Sequence, residues 1–425
     1  MIFRFSAYGF LKNLRLFEAF LILALRERGL DFLAIGSLIA VREITVNVFE
    51  VPSGSLADAL GRKRCMVASM ACYIVAYLVL GLAGSFGLLA GAMVFYGIGD
   101  AFRTGTHKAL IYAWLRSQGR ANERTKVYGY TRSWSKMGSA VSALLAGLLV
   151  FFSGSYTSIF LWSAAPAALN LVNLATYPSW LDDHGRNKGR GLKHSAKMLG
   201  EAIGFTTRQP AMRRLVADSM IFEGSYAVIK DYLQPVIQSA AITLPIMFGL
   251  KDQQRTAVMI GVVYALLYLL ASVAARRAHQ WEDRCGGTEP GIRGLYVVTI
   301  VALVGMGASL AAGWAWPAIG LFIVLGVAQN LWRPIHVGRF DLYSPEHHAA
   351  TTLSIESQAK SVATAVMAPL IGWAIDRLSH HATPAPVWAL WPVAVCAAPM
   401  LVRLLFVTMP SLREPEEPEQ AATPH

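Results

Sequence analysis

Ionisable side chains recur at helical spacing inside runs of apolar residues. Glu43, Asn47 and Glu50 form one such series, Asp100, Arg103 and His107 a second, and Arg132, Lys136 and Ser139 a third. Glu223, Tyr226 and Lys230, with Asp231 adjacent, make a fourth, followed by Gln329, Arg333 and His336, by Glu356 and Lys360, and near the start by Arg15 and Glu18. Residues three, four and seven apart share one face of a helix, so each series is a polar stripe on an apolar rod. The chemistry such stripes can do is reversible binding of ions, protons and charged solutes. Constellations for covalent or metal chemistry, such as H-E-x-x-H or G-x-S-x-G, do not occur.

Charge in an apolar medium is costly, which makes each of these groups a functional candidate by default. A competing reading applies to Arg15–Glu18, Asp100–Arg103 and Glu356–Lys360, which could be neutralising pairs that only hold helices together. Glu43 and Glu50 find no cation on their own stripe. Arg42 adjoins Glu43 but points about 100° away on a 3.6-residue helix, and Arg132 is a partner from another segment. A carboxyl left without a partner has its pKa raised, as a proton carrier requires. For His107 and His336 the simpler reading is a hydrogen-bonded core histidine. Lys108 and Asp218 are expected near helix ends, where a lysine can snorkel.

The elements that must carry these stripes are long. Of 425 residues, 55% are hydrophobic and 15% charged, with mean hydropathy +0.44, where soluble domains run near a quarter charged. About twelve membrane-length helices can be drawn at roughly 20 apolar residues each, over 5–26, 32–57, 65–84, 86–113, 125–152, 157–178, 211–236, 255–276, 293–312, 316–339, 350–375 and 386–408. Spans 3, 6 and 9 carry no interior charge, and span 12 carries only Arg403 near its end. Span 8 offers only Tyr264, Tyr268 and Ser272. No cleavable leader is expected, since Lys12, Arg15 and Glu18 interrupt the first apolar run. The net charge of +12 is read as cations gathered in cytoplasmic loops, not as nucleic-acid binding. Cation-rich turns at Arg62–Arg64, Arg116–Lys126 and Arg276–Arg293 alternate with cation-poor ones near Gly84, Gly154 and Gly313, which puts both termini in the cytoplasm. Cys65, Cys72, Cys285 and Cys396 are scattered and form no C-x-x-C pair.

The expected organisation is a six-helix bundle over 1–178, a basic cytoplasmic linker over 179–210, a second bundle over 211–409 and a disordered Pro/Glu-rich tail over 410–425. An internal repeat supports the halves: Gly36 and Gly261, Asp58 and Asp283, Gly61 and Gly286 are each separated by 225 positions.

One short stretch adds specificity. Between spans 2 and 3 stands Gly54-Ser55-Leu56-Ala57-Asp58-Ala59-Leu60-Gly61-Arg62-Lys63-Arg64. It resembles the signature loop of the major facilitator superfamily, roughly G-x-L-A-D-x-x-G-R-K, at Gly54, Leu56, Asp58, Gly61, Arg62 and Lys63. Ala59 stands where Arg is frequent, Met93 where many proton-coupled members carry Arg, and the run Gly138 to Gly147 lacks the proline of many antiporters. The resemblance implies an all-α membrane protein of twelve helices in two pseudo-symmetric bundles around a central cavity, with every third helix bracing the outside. It also implies that Asp58, Arg62 and Lys63 gate the cycle as a latch, echoed by Asp283 and Gly286.

The resulting expectation is a secondary transporter, not an enzyme. It moves a small charged or zwitterionic solute by alternating access, with the proton as candidate coupling ion. A multidrug or amphiphile antiporter of the same fold and a non-transporting receptor or scaffold are the alternatives. The cavity candidates are Glu18, Arg42, Glu43, Asn47, Glu50, Asp100, Arg103, Arg132, Lys136, Glu223, Lys230, Asp231, Arg333, His336, Glu356 and Lys360. No cofactor, metal or nucleic acid is expected. The bilayer, in all expectation the plasma membrane, and the solute are the partners of a monomer.

Overall fold

The computed structural model describes residues 1–104, 106–120, 123–181, 200–201, 203–204, 206–243, 249–343 and 349–406. Most of the expected linker, the expected tail and the side chain of Asp58 lie outside the described residues. What is described is helical, and no strand occurs among it.

The order is α1 (Ile2–Asn13), a 3₁₀ turn (Glu18–Phe20), α2 (Leu21–Glu27), α3 (Phe32–Leu60), α4 (Arg62–Leu82), α5 (Phe86–Arg103), α6 (Thr106–Ser117), α7 (Arg124–Ser153) and α8 (Ser158–Ala175). Then come α9 (Pro210–Ser219), a π turn (Met220–Gly224), α10 (Ser225–Ile229), a 3₁₀ turn (Lys230–Tyr232), α11 (Leu233–Thr243), α12 (Asp252–Arg276), α13 (Ala278–Arg284), α14 (Thr288–Ala311), α15 (Ala315–Tyr343) and α16 (Ala349–Ser379). A 3₁₀ stretch (Val387–Cys396) leads into α17 (Ala397–Phe406).

Among the described residues, 9 helices are long and apolar enough to cross a membrane. The three expected spans missing from that set are 5–26, 86–113 and 211–236. Each is interrupted, and each carries a cluster of the charges singled out above. The chain leaves the helix at Leu14; Thr104 turns extended after Arg103; and the third span runs through the π turn and the Lys230–Tyr232 turn. Polar side chains compete for backbone groups at these places, with Asn13 Nδ2 donating to the Gly9 carbonyl at 2.7 Å and Thr104 Oγ1 to the Asp100 carbonyl at 2.9 Å. Irregular backbone at membrane depth survives only where protein or a water-filled cavity surrounds it.

The apolar spans take the outer positions. Leu78 and Leu82 of α4, Leu169 and Val172 of α8, and Val301 and Val304 of α14 project away from the protein, as lipid-facing side chains do.

Helices α3 and α16 pack along each other, as do α7 and α12. These two contacts join residues before the linker to residues after it. They are tightest at the end bearing the Gly154 and Gly313 turns, where glycines let backbones touch. A Cβ on Gly36 would run into the Ala368 carbonyl, and one on Gly372 into that of Phe32. A Cβ on Gly147 would lie 2.8 Å from the Ala257 oxygen. Polar contacts finish the seal. Asp376 accepts from the amides of Phe32 and Leu33 at 3.0 and 2.7 Å, capping α3 from across the seam. Arg26 donates to the Ala382 carbonyl at 2.6 Å, and Glu27 accepts from Gln253 Nε2 at 2.7 Å.

The glycine of the repeated Asp-x-x-Gly element has a positive φ in both places. Gly61 and Gly286 follow a helix end with φ of 102° and 80°, a region open to glycine at little cost. The copies differ before that point: α3 runs unbroken through Asp58, whereas Asp283 sits on the separate short helix α13.

Candidate functional site

Away from the sealed end, the seam widens into a cavity of about 900 Å³, within the range that holds a small molecule. Its walls come from the interrupted segments and from α7, α12 and α15. Glu18, Lys136, Lys230, Asp231, Asn330 and Arg333 supply the polar groups, and Tyr226, Tyr264, Tyr268 and Leu267 an aromatic and apolar face. The cavity extends along α12 to Arg276 and along α7 to Arg132, toward the cation-rich end.

The ion pairs are not those that spacing within single helices suggests. Arg15 and Glu18 do not pair, because the helix is broken between them. Arg15 Nη2 lies 3.3 Å from Asp100, and Glu18 lies 3.9 Å from Lys230 across the seam. Asp100 and Arg103 do pair, at 3.2 Å, and the Tyr73 hydroxyl donates to Asp100 at 2.5 Å. Asp100 is therefore a hub that holds two guanidiniums. Glu356 does not turn to Lys360: Arg333 of α15 grips it with two bonds of 2.5 and 3.0 Å. Lys230 also bonds its neighbour Asp231 at 3.1 Å, and Glu223 accepts from Gln329 Nε2 at 2.8 Å.

The α3 stripe faces α16 instead of lining the cavity. Glu43 accepts from Arg42, its neighbour in sequence, whose long side chain spans the angle between them. Asn47 donates back to the Glu43 carbonyl at 3.0 Å. Glu50 has both carboxylate oxygens buried, against Ser354, Gln358 and Lys360 of α16. The two histidines part company. His336 is buried, stacked on Trp332 at 4.0 Å with Nε2 2.8 Å from Ser219 Oγ, which fits the core reading. His107 stacks on Tyr8 at 3.9 Å, with its Nε2 buried and without a hydrogen-bond partner among the described residues.

With this geometry, two comparisons decide the class of the molecule. The sequence pattern of the Major Facilitator Superfamily matches residues 13–355. The chain belongs to the major facilitator superfamily. A relative from Bacillus subtilis (strain 168), the uncharacterized MFS-type transporter YxaM, is 21% identical over 378 residues, covering 87% of this chain and 88% of its own length. The chain is thus an integral membrane transport protein of the secondary-transporter class, not an enzyme. Solved structures share its fold. The nucleoside transporter NupG superposes with TM-score 0.75 at 14% identity, over 95% of this chain and 97% of that one. A D-xylose-proton symporter gives 0.67 at 14%, over 95% and 96%, and a POT family transporter in complex with 5-aminolevulinic acid gives 0.67 at 14%, over 95% of each.

For this superfamily member, the structure brings Glu18, Arg132, Lys136, Lys230, Asp231 and Arg333 to the cavity wall. Arg103 faces a smaller side hollow. Arg42, Glu43, Asn47, Glu50, Asp100, Glu223, His336, Glu356 and Lys360 stand behind that wall. In the signature loop, Lys63 Nζ donates to the Tyr177 carbonyl at 2.6 Å, tying the start of α4 to the end of α8.

Sequence reasoning passed over one cluster. Asp218, expected near a helix end, is fully buried and accepts from Arg403 Nε at 2.6 Å, Arg339 Nη1 at 3.2 Å and the Tyr296 hydroxyl at 3.1 Å. Arg339 also lies 2.9 Å from Glu289. The signal for it was three charges at the same end of three apolar spans, which a reading helix by helix does not connect.

Proposed function

We propose that this protein carries a small charged or zwitterionic solute by alternating access, and that the conformation described here faces the cytoplasm. The observation that carries the reading is the asymmetry of the seam: sealed by glycine contacts at one end, a charged cavity of about 900 Å³ running toward the other. Cation placement makes the cavity's open end the cytoplasmic one, with both termini on that side and the plasma membrane as the host bilayer. The rocking bodies are the bundles 1–178 and 211–409 of a monomer. Asp58, Arg62 and Lys63, with Gly54 and Gly61, form the latch between access states, and Asp283 and Gly286 its weaker counterpart. The tyrosine face of Tyr226, Tyr264 and Tyr268 favours a second reading, export of an amphiphile.

Glu18–Lys230 is the ion pair that crosses the cavity from one bundle to the other, and a charged solute would compete for either member. A proton is the candidate coupling ion, with Glu50 as its site, since a buried carboxylate is costly and protonation removes its charge. Proteoliposomes with an imposed proton gradient, screened over charged metabolites, test the reading. The expected result is gradient-driven accumulation that Lys230→Gln reduces by about tenfold or more, on the order of one lost charged contact. Glu50→Gln is expected to flatten the pH dependence of that accumulation. Flux indifferent to the gradient and to both substitutions would remove the coupling and cavity assignments.

A further inference from the structure

Beside the central cavity lies a side hollow of about 270 Å³ between α1, α5, α6 and α7. Its ionisable lining is of one sign: Lys12, Arg103, His107, Lys108, Arg132 and Lys136, with no carboxylate. Lys108, Arg132 and Lys136 also line the central cavity, so the two spaces adjoin.

The carboxylates nearby are already engaged. Asp100 is held by Arg15, Arg103 and the Tyr73 hydroxyl, and Glu18 lies toward Lys230. Among the described residues, Lys12 has no carboxylate within 4.0 Å, and Lys136 bonds the neutral amide oxygen of Asn330 at 3.4 Å. His107 brings its partnerless buried Nε2 to the same wall. Lys12 and Lys136, with no carboxylate beside either among the described residues, repel one another at membrane depth. A negative charge from the protein would relieve them, and none lines the hollow among the described residues. A bound anion would do so, through charge-assisted hydrogen bonds.

We propose that this hollow is the subsite that receives the anionic group, carboxylate or phosphate, of the carried solute. Its volume, below the range for a drug-sized ligand, is ample for an anionic headgroup. The remainder extends into the central cavity against Tyr226, Tyr264, Tyr268 and Leu267. The substrate class is then an organic acid with an apolar or aromatic body. This deepens the transport reading and rests on it for the word substrate, whereas the subsite itself is a statement about binding.

Binding to the full-length protein in phosphatidylcholine nanodiscs, measured by calorimetry without any gradient, separates the two. The probes are benzoate, phenylphosphate, inorganic phosphate and the neutral isostere benzamide. Benzoate and phenylphosphate are expected to bind, inorganic phosphate to bind more weakly for want of a body, and benzamide to give no heat. Raising the salt concentration should weaken the binding. Lys12→Gln and Lys136→Gln are each expected to lower the affinity about tenfold, while Lys12→Arg, which keeps the charge, restores most of it. Should Lys12→Gln elute as aggregate, Lys136→Gln carries the same test. Benzamide binding as well as benzoate, or wild-type affinity in both Gln variants, would overturn the subsite and leave the transporter reading intact. Anion binding lost in the Gln variants would uphold the subsite even if no flux were found in liposomes.

Discussion

Asp218→Ala is expected to remove about 3–5 kcal/mol of stability and to leave little protein that survives extraction in detergent. The carboxylate has no exposed surface and is shared by Arg339 and Arg403, themselves buried. Removing it takes the shared carboxylate from two guanidiniums in a dry interior, while Glu289 remains 2.9 Å from Arg339. The damage would spread through three elements, since the cluster ties the start of the seventh span to the ends of α15 and α17. Arg403→Met is expected to cost less, because Asp218 keeps Arg339 and the Tyr296 hydroxyl. The triple change Asp218→Leu, Arg339→Met, Arg403→Met should recover much of the loss by replacing the charges with packed hydrocarbon. Thermal unfolding followed by size-exclusion chromatography checks the series. A melting temperature unchanged in Asp218→Ala would mean that the cluster contributes nothing.

The second large effect is on the cycle and not on folding. Gly372→Val places a branched side chain where the backbone of α16 meets the carbonyl of Phe32. The seal cannot close around it, and relieving such overpacking costs roughly 1–3 kcal/mol, enough to shift a two-state equilibrium about fivefold to 150-fold toward the state in which the halves part there. Transport should fall by a similar factor, while expression and chromatographic behaviour stay normal. The direction is testable without a substrate. A cysteine at Tyr232, which stacks near Phe32 behind the seal at 5.9 Å, should react faster with an impermeant thiol reagent from the sealed side in Gly372→Val than in the parent. Equal labelling would show that this seam does not gate.

How much of this was legible in the sequence depended on the range of the interaction. The polar stripes and the apolar third helices follow from periodicity along one helix; Glu18, Arg132, Lys136, Lys230, Asp231 and Arg333 of the stripes reach the cavity wall, and α4, α8 and α14 face outward. Pairing was not legible, because spacing gives the face of a helix but not its neighbour. Arg15 and Glu18 could not share a face once the chain left the helix at Leu14. Glu356 had Lys360 four residues away and yet found the bidentate Arg333 on another helix. Arg42, expected to point elsewhere, reaches Glu43 because its side chain is long and flexible. The interruptions of three spans were unforeseen for a related reason: the same charges that marked them as functional also weaken them as continuous apolar helices. The α3 stripe was read as cavity wall, but α16 covers it, and only the tertiary packing decides that.

The central claim is that this seam alternates between two access states. Spin labels at Phe86 and Trp314, exposed on opposite halves near the sealed end, and at Ser117 and Arg284, exposed near the cation-rich end, report it through double electron–electron resonance after replacement of the four free cysteines. The account predicts two populations whose distances change reciprocally: conditions that lengthen the first pair, such as Gly372→Val, shorten the second. Distances that stay fixed at both ends, or that lengthen together, would contradict it.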